Sequence, residues 1–454
     1  MQKNVFKKSM ALMLCLTLLV TAFSFVGTAS SADVEFKITN PYETVDWESW
    51  DNFRLSLHNH SWVSDGRDNF KDMVERHYEL GYDALAMTDH GTVDYGWIGE
   101  VNRVDLLETV LELKRKSSEK PYGLTPERYE EITTGVGRNG RPMIRIPYGI
   151  EQNPTSLNSA HVNSWFVDYG NAILGGTSDY ETPIKEVNKL GGVSVINHPG
   201  EYTRAKKENN PDKAYDSSYA YKIDKFANLL IKYHTCIGID VNSKNDGRTK
   251  NDRKLWDILL QKVVPTGRNV FAIGSSDAHS LSAIDTGWVI AVMPENTVEN
   301  IKTALLTGTF FAGSRHIKNS KELAILSAEV GRDLGKEWEA NPEAPEPVVT
   351  GIFVDEAEDT IRIEAVNAET IHWIADGKVI AVGNEIDLDD YADQVGCYVR
   401  AEIFGDGGIL YSQPFILEHD NAPKEGGVKG FFDFGNLLAM IRKFILTLFA
   451  PIIK

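Results

Sequence analysis

His58-Asn59-His60 closes a β-rich run, and a one-residue spacing puts both imidazoles on the same face of an extended strand, where they can share a cation. Donors of the same kind recur along the chain in similar positions. Asp65 sits in Ser64-Asp65-Gly66, His90 in Thr88-Asp89-His90-Gly91 and Glu151 in Gly149-Ile150-Glu151. His161 opens the next run, His198 lies in Asn197-His198-Pro199-Gly200, and Asp277 and His279 lie in Ser275-Ser276-Asp277-Ala278-His279. Six of the eleven histidines are placed this way, whereas His77, His234, His316, His372 and His419 are scattered over helices and loops and read as structural. Mixed imidazole and carboxylate ligation suits Zn, Mn or Fe, while an all-oxygen set would suit Mg²⁺ or Ca²⁺. Eight or nine donors exceed what one ion uses, so two or three divalent ions bridged by a carboxylate are expected. Closely spaced ions lower the pKa of a shared water and neutralise an oxyanion, which is ester hydrolysis by metal-bound hydroxide. No Gly-x-Ser-x-Gly turn and no Cys/His pair at a recognisable motif offers a competing route.

Such donors need a scaffold that gathers strand ends on one rim. From about Asp51 to Arg315, β-rich runs (Arg54–His58, Ala84–Thr88, Met143–Ile150, Val193–Ile196, Cys236–Asp240, Val270–Gly274) alternate with helix-like stretches. The latter are Phe70–Leu80, Val101–Lys116, Thr182–Leu190, Ile223–Lys232, Asn251–Lys262 and Thr297–Thr307, with Gly81 and Gly191 at C-cap positions. Repeated β then α predicts a parallel sheet, and six or seven such units favour a closed barrel, whose C-terminal rim is where active sites are built. Glu119–Arg141 and Glu201–Tyr221 fit neither period and read as loop insertions walling that rim. Beyond Arg315, short alternating runs such as Val348–Val354, Ile361–Val366, Ile371–Ile374, Val379–Val382 and Cys397–Ile403 predict a small β-sandwich. The Pro-rich stretch Asn341–Pro347 reads as its linker or edge.

The 454-residue chain has 47 Lys+Arg against 65 Asp+Glu, a net charge of −18, and 42% hydrophobic, 10% aromatic and 25% charged residues. This excludes a largely disordered or fibrous chain, and the acidity argues against stable nucleic-acid binding. Lys3, Lys7 and Lys8, the apolar run Met10–Val26 and the small residues Ser30-Ser31-Ala32 read as a secretory signal peptide, whose removal takes the charge from −18 to −21. The protein is therefore expected to be secreted, with possible association at the cell surface. Only Cys236 and Cys397 then remain of the 3 cysteines, so no disulfide framework is expected. At the far end Leu437, Ile441, Phe444, Ile445 and Leu448 share one helical face broken by Arg442 and Lys443, an amphipathic helix suited to a membrane surface or a partner. The expected layout is a signal peptide 1–32, a lead-in 33–50, a barrel 51–318, a β-sandwich 325–418, a linker 419–430 and a helix 431–454.

The set H-x-H, S-D-G, T-D-H, G-x-E, H, N-H-P and S-D-A-H, in this order over roughly Asn52 to Arg315, resembles the polymerase and histidinol phosphatase (PHP) superfamily. That resemblance implies an α/β fold, a distorted seven-stranded TIM-like barrel carrying two or three metals. It implies that His58, His60, Glu151 and Asp277 hold one ion, Glu151, His161 and His198 a second, and Asp65, His90 and His279 a third. Glu151 is then the bridge, and Asp277, Glu151 and His198 are the residues expected at the reacting centre. The later chain resembles the secreted carbaryl hydrolase-like branch, with Phe310-Phe311-Ala312-Gly313-Ser314 before an Ig-like sandwich ending in Tyr398-Val399-Arg400. It departs from that branch at Ser412-Gln413-Pro414, where an Asn-Pro-like turn is expected. The resemblance implies a metal-dependent phosphoesterase acting on a small anionic ester. Hydrolysis of carboxyl or carbamate esters, and a surface-binding protein with a lapsed barrel, are the alternatives. Anionic substrates need cations beside the metals, and Arg67, Arg138, Arg204, Lys206 and Arg248 on rim loops are the candidates.

Overall fold

The computed structural model describes residues 34–115, 117–152, 160–173 and 180–428, together with residues 430, 432 and 441. The expected signal segment and nearly all of the expected C-terminal helix lie outside the described residues. Among the described residues, no helix is long and apolar enough to cross a membrane.

The strands up to Ser314 are β1 (Lys37–Thr39), β2 (Asp51–Ser56), β3 (Ala84–Leu85), β4 (Ile144–Arg145), β5 (Ile150–Gln152), β6 (Val162–Trp165), β7 (Val193–Ile196), β8 (Cys236–Asn242), β9 (Phe271–Gly274), β10 (Gly287–Met293) and β11 (Phe310–Ser314). The longer helices are α1 (Phe70–Glu79), α2 (Asp105–Arg115), α3 (Pro126–Thr134), α4 (Glu181–Leu190), α5 (Ala220–Lys232), α6 (Asp252–Val263), α7 (Val298–Thr307) and α8 (Ser320–Val330). Apolar spacing explains them locally. In α1, Phe70, Met73, Val74, His77 and Tyr78 recur at helical intervals and are all buried. Residues 119–141 are not the plain loop expected, because Thr125 caps α3 by accepting from the Arg128 N–H and Gly135 ends it at φ 78°.

Pairing departs from one closed parallel barrel. β2, β3 and β4 are parallel, as are β7, β8 and β9, but β5, β6 and β7 run antiparallel and β10 is antiparallel to both β2 and β11. Between β5 and β6 the chain has too few residues for a crossover helix, so it must turn straight back. Two sheets result, joined near the rim by isolated bridges between Asn59 and Ala278 and between His90 and Glu151. Their inner faces share one core, with Leu55, Leu57 and Ala84 from one sheet against Val193, Val195, Ile237 and Ile273 from the other.

The later strands are β12 (His316–Ile317), β13 (Trp338–Glu339), β14 (Val348–Asp355), β15 (Thr360–Val366), β16 (Thr370–Ala375), β17 (Lys378–Val382), β18 (Glu385–Asp387), β19 (Tyr398–Gly405), β20 (Gly408–Tyr411) and β21 (Phe415–Glu418). β14, β15 and β18 form a sheet of their own, but β20 pairs with β11, and β19 pairs with β16, β20 and β21. The C-terminal strands therefore extend the first sheet, where a separate sandwich was expected. Phe226, Leu230, Trp256 and Leu259 of α5 and α6 likewise pack in one cluster with Tyr398, Phe404 and Tyr411. The expected boundary at 318–325 falls at and inside α8, which Asn319 caps by accepting from the Lys321 and Glu322 N–H groups. Nor is the Pro-rich stretch a free linker: Glu346 binds Arg54 at 2.8 Å and Arg315 at 2.6 Å, and both guanidiniums lie over the Trp288 ring.

Candidate metal centre

The chain leaves β2 at Ser56 and runs into His58-Asn59-His60. Asn59 is tied down: its N–H donates to Thr88 Oγ1 at 3.0 Å, and its side-chain amide donates to Ser56 Oγ at 2.8 Å and Ala86 O at 3.1 Å. His77 lies against the same amide, Nε2 3.0 Å from Asn59 Oδ1, so this histidine is structural yet braces the donor loop from behind. With Asn59 fixed, the Nε2 atoms of His58 and His60 come to 3.2 Å. Asp89 is a second brace. Its Oδ1 accepts from the Ser61 N–H at 2.7 Å and from Ser64 Oγ at 2.6 Å, and its Oδ2 accepts from Ser61 Oγ at 2.8 Å, which shapes the turn that carries Asp65. His198 at φ 25° and Asp277 at φ 46° occupy the left-handed region that side chains other than glycine rarely adopt. Local strain at two candidate ligands is common at functional sites and is held here by the surrounding fold. Beside His198, the Gly200 N–H donates to Asp252 Oδ2 at 3.0 Å, and a Cβ at Gly200 would collide with that carboxylate.

All nine expected ligands meet in one basin. Glu151 Oε2 lies 3.0 Å from His90 Nδ1, 3.3 Å from His60 Nε2 and 3.5 Å from His58 Nε2. Its Oε1 lies 2.8 Å from His161 Nδ1 and 3.3 Å from His198 Nε2, so one carboxylate addresses five imidazoles. Asp277 Oδ1 sits 3.1 Å from His60 Nε2 and 3.5 Å from His58 Nε2, and its Oδ2 sits 3.4 Å from His198 Nε2. At the outer end Asp65 Oδ1 is 3.2 Å from His279 Nε2, 3.6 Å from His90 Nε2 and 3.8 Å from His60 Nδ1. The side chains of Glu151 and Asp277 are 1% exposed and that of Asp65 is 37%, so the basin is closed at its floor and open at Asp65.

The donor chemistry fits divalent cations. Oδ1 of Asp277, Oε2 of Glu151 and Oδ1 of Asp65 are buried without a hydrogen-bond partner, and Asp277 Oδ2 meets the Lys244 amine at 2.9 Å. Buried polar atoms are almost always answered, and several unanswered ones converging on one space mark a place for positive charge. The groupings that could each hold an ion are His58/His60/Asp277, His58/Glu151/His198, His90/Glu151/His161, His60/Asp65/His90/His279 and His198/Glu201/Asp277. Electrostatics point the same way. Burial opposes ionisation of Asp277, but His58 and Lys244 outweigh it and hold its pKa well below the ordinary carboxylate value. Burial likewise opposes charge on Glu151, and His161 and His90 overcome it. Burial pushes His58 down to about 4, keeping it neutral. For His279, burial disfavours the cation but Asp65 and Asp277 lift it to about 9.

The five expected substrate cations separate. Arg67 and Arg248 line a cleft of about 810 Å³ that shares Asp65 and His279 with the basin. Lys206 instead donates to the Glu201 carbonyl at 2.9 Å, bracing the loop after His198, and Arg204 is exposed on the 3-10 turn Arg204–Lys207, outside the cleft lining. Arg138 belongs to the scaffold: it donates to the Gly81 carbonyl at 2.9 Å and to Asp83 at 3.0 Å, before β3 begins, whereas His90 follows that strand. Its distance along β3 from the rim corrects the expectation. Sequence reasoning missed Lys244, whose Nζ lies 2.9 Å from Asp277 Oδ2 and 2.9 Å from Glu201 Oε2. The available signal was that Lys244 follows a β-rich run, as the donors do, and that Glu201 stands three residues after His198. Lys244, Asn245 and Asp246 are all left-handed, with φ of 49°, 55° and 53°, a strained turn that carries the amine at its start. Also unforeseen were Asn197, which donates to Glu151 Oε1 at 2.9 Å, and Tyr202, whose hydroxyl lies 2.9 Å from His161 Nε2.

Among curated proteins none matches. A two-domain protein containing a predicted PHP-like metal-dependent phosphoesterase from Bacteroides vulgatus is 15% identical, with 87% of this chain and 96% of that chain covered and a TM-score of 0.39. PsfC from Pseudomonas syringae is 14% identical, covering 56% of this chain and 88% of that chain, with a TM-score of 0.31. The lesion-specific endonuclease PfuEndoQ from Pyrococcus furiosus is 14% identical, covering 56% of each chain, with a TM-score of 0.30. Residues 56–242, the stretch that supplies His58, His60, Asp65, His90, Glu151, His161 and His198, match the family model of the PHP domain.

Proposed function

We propose that the protein is a metal-dependent phosphoesterase that hydrolyses small anionic esters at the basin around Glu151 and Asp277, and that it acts outside the cell after loss of residues 1–32. One observation carries the reading: nine donors from seven separate chain segments converge with Asp277 Oδ1, Glu151 Oε2 and Asp65 Oδ1 unanswered, beside a cleft lined by cations. Two or three divalent ions held there would lower the pKa of a coordinated water and neutralise charge on the ester oxygens. The chain's own residues do the remaining work. Glu151 presents one oxygen to His161 and His198 and the other to His58, His60 and His90, so it holds the two sides of the basin in register. Asp277, kept as a carboxylate, is placed to take a proton from the attacking water. His198 completes the floor between these two carboxylates. Lys244, already beside Asp277, is the cation placed to meet a phosphoryl oxygen entering from the cleft.

The test is hydrolysis of nitrophenyl phosphate, bis-nitrophenyl phosphate and nitrophenyl acetate by purified Asp33–Lys454 protein loaded with Mn²⁺ or Zn²⁺, beside Asp277→Asn. Phosphate turnover that vanishes in the variant with an unchanged circular dichroism spectrum is the expected result. Turnover of acetate alone would move the protein to carboxyl or carbamate esters, and silence on all three with ions bound would reject the phosphoesterase. Export is checked by N-terminal sequencing of protein recovered from the medium, which should begin at Asp33.

A further inference from the structure

The cleft beside the basin carries more positive charge than one phosphoryl group needs. Its walls include Arg67, Lys114, Arg115, Lys244 and Arg248. Three of these are answered. Lys244 lies against Asp277 and Glu201, Arg248 against Glu201, and Arg115 against Glu108 at 2.9 Å and the Trp62 carbonyl at 2.8 Å. Arg67 and Lys114 have no carboxylate partner among the described residues, and both side chains are exposed. In a chain of net charge −18, two unpaired cations in one concavity run against the background field and concentrate anions there.

We propose that Arg67 and Lys114 form a subsite for a second anionic group, so that the preferred substrate carries a phosphate or carboxylate besides the phosphoester that reacts. This rests on the phosphoesterase reading and goes beyond it. Arg67 is well placed for the task, because its N–H donates to the His279 carbonyl at 2.7 Å, which fixes its Cα relative to the basin. Trp62 supports the same wall: its Nε1–H donates to the Arg67 carbonyl at 2.7 Å, and the Arg115 guanidinium lies 5.3 Å from its ring centre. Arg115 thus joins α2, which carries Lys114, to the turn that carries Arg67.

Calorimetry on the metal-loaded Asp33–Lys454 protein, comparing propylphosphonate with propane-1,3-bisphosphonate, tests the subsite without requiring turnover. The bisphosphonate should bind about tenfold more tightly at low salt, as expected for two exposed ion pairs. That advantage should shrink at high salt and fall several-fold in Arg67→Ala and in Lys114→Ala, with a smaller effect on the monophosphonate. Equal affinity for the two ligands, an advantage that both substitutions leave intact, or binding of neither ligand would overturn the subsite. Failure of the underlying reading looks different: nitrophenyl phosphate is not hydrolysed although the bisphosphonate advantage and its dependence on Arg67 and Lys114 persist. Hydrolysis with no bisphosphonate advantage rejects the subsite alone.

Discussion

Two clusters of buried charge can be set side by side. In the seam between α6, α8 and β19, Arg400 binds Asp257 at 2.8 and 2.9 Å and Glu402 at 2.7 Å, and the Tyr398 hydroxyl also donates to Asp257 at 2.8 Å. Arg253 binds both oxygens of Asp246 at 2.9 Å and also binds Glu322. Each guanidinium there faces carboxylates that accept its hydrogen bonds. In the basin, by contrast, Asp277 Oδ1 has no hydrogen-bond donor although imidazoles crowd around it, and Oδ2 is met by the Lys244 amine at 2.9 Å. Burial perturbs the ionisation of both clusters, so a displaced pKa does not tell them apart. What separates them is satisfaction: the seam's carboxylates accept hydrogen bonds from its guanidiniums, while the basin keeps buried oxygens of Asp277, Glu151 and Asp65 that no donor answers.

The sharpest way to break this contrast is to remove one partner from the seam. Arg400→Met leaves Asp257 and Glu402 buried without their cation and should cost about 3–5 kcal/mol of stability by denaturant unfolding, with turnover per folded molecule unchanged. Glu151→Gln should do the reverse. Bound metal, measured by atomic emission, falls and turnover drops on the order of 100-fold or more, while unfolding free energy in chelator moves by about 1 kcal/mol or less. A comparable loss of stability in both variants would erase the distinction.

A smaller effect belongs to His77, held neutral at about 4 by burial. The folded state disfavours its cation, so its contribution is complete above about pH 6.5 and is lost as pH falls toward 4, a loss of about 2 kcal/mol by pH 5. Urea unfolding in chelator should show that slope, and His77→Gln should flatten it. The least of these effects is expected at Lys244, where Lys244→Met should lower kcat/KM for nitrophenyl phosphate about tenfold, through loss of one charged contact. An equal fall for nitrophenyl acetate would show that the amine positions Asp277 and does not meet the phosphoryl oxygen.

Much of the basin was legible because its donors occur in short motifs, and strand ends can be read from local pattern. His58 and His60 were placed together by the period of an extended chain, and the helices from α1 to α7 by apolar spacing, except α3, whose Pro126 start and sparse apolar face hide it in a polar stretch. The cations were harder. Arg138 and Arg248 look alike in sequence, yet one is drawn to Asp83 beneath the scaffold and the other lines the cleft. Long, flexible cationic side chains take whichever carboxylate the fold brings near, and no local spacing records that choice.

By itself the amino-acid sequence determined the type and order of the candidate metal donors, the alternation of strands and helices around them, and the acidity against which a basic cleft stands out. These are properties of near neighbours along the chain, governed by backbone period and side-chain chemistry. Tertiary structure alone decided that β20 joins β11 to make the C-terminal strands part of the first sheet, and that Lys244 meets Asp277 and Glu201. It also decided that the two sheets meet through bridges at His90–Glu151 and Asn59–Ala278, beside the ligands themselves. Such contacts join segments far apart in sequence and form only when the shared core of both sheets has packed, so their free energy belongs to the whole fold and not to any local pattern.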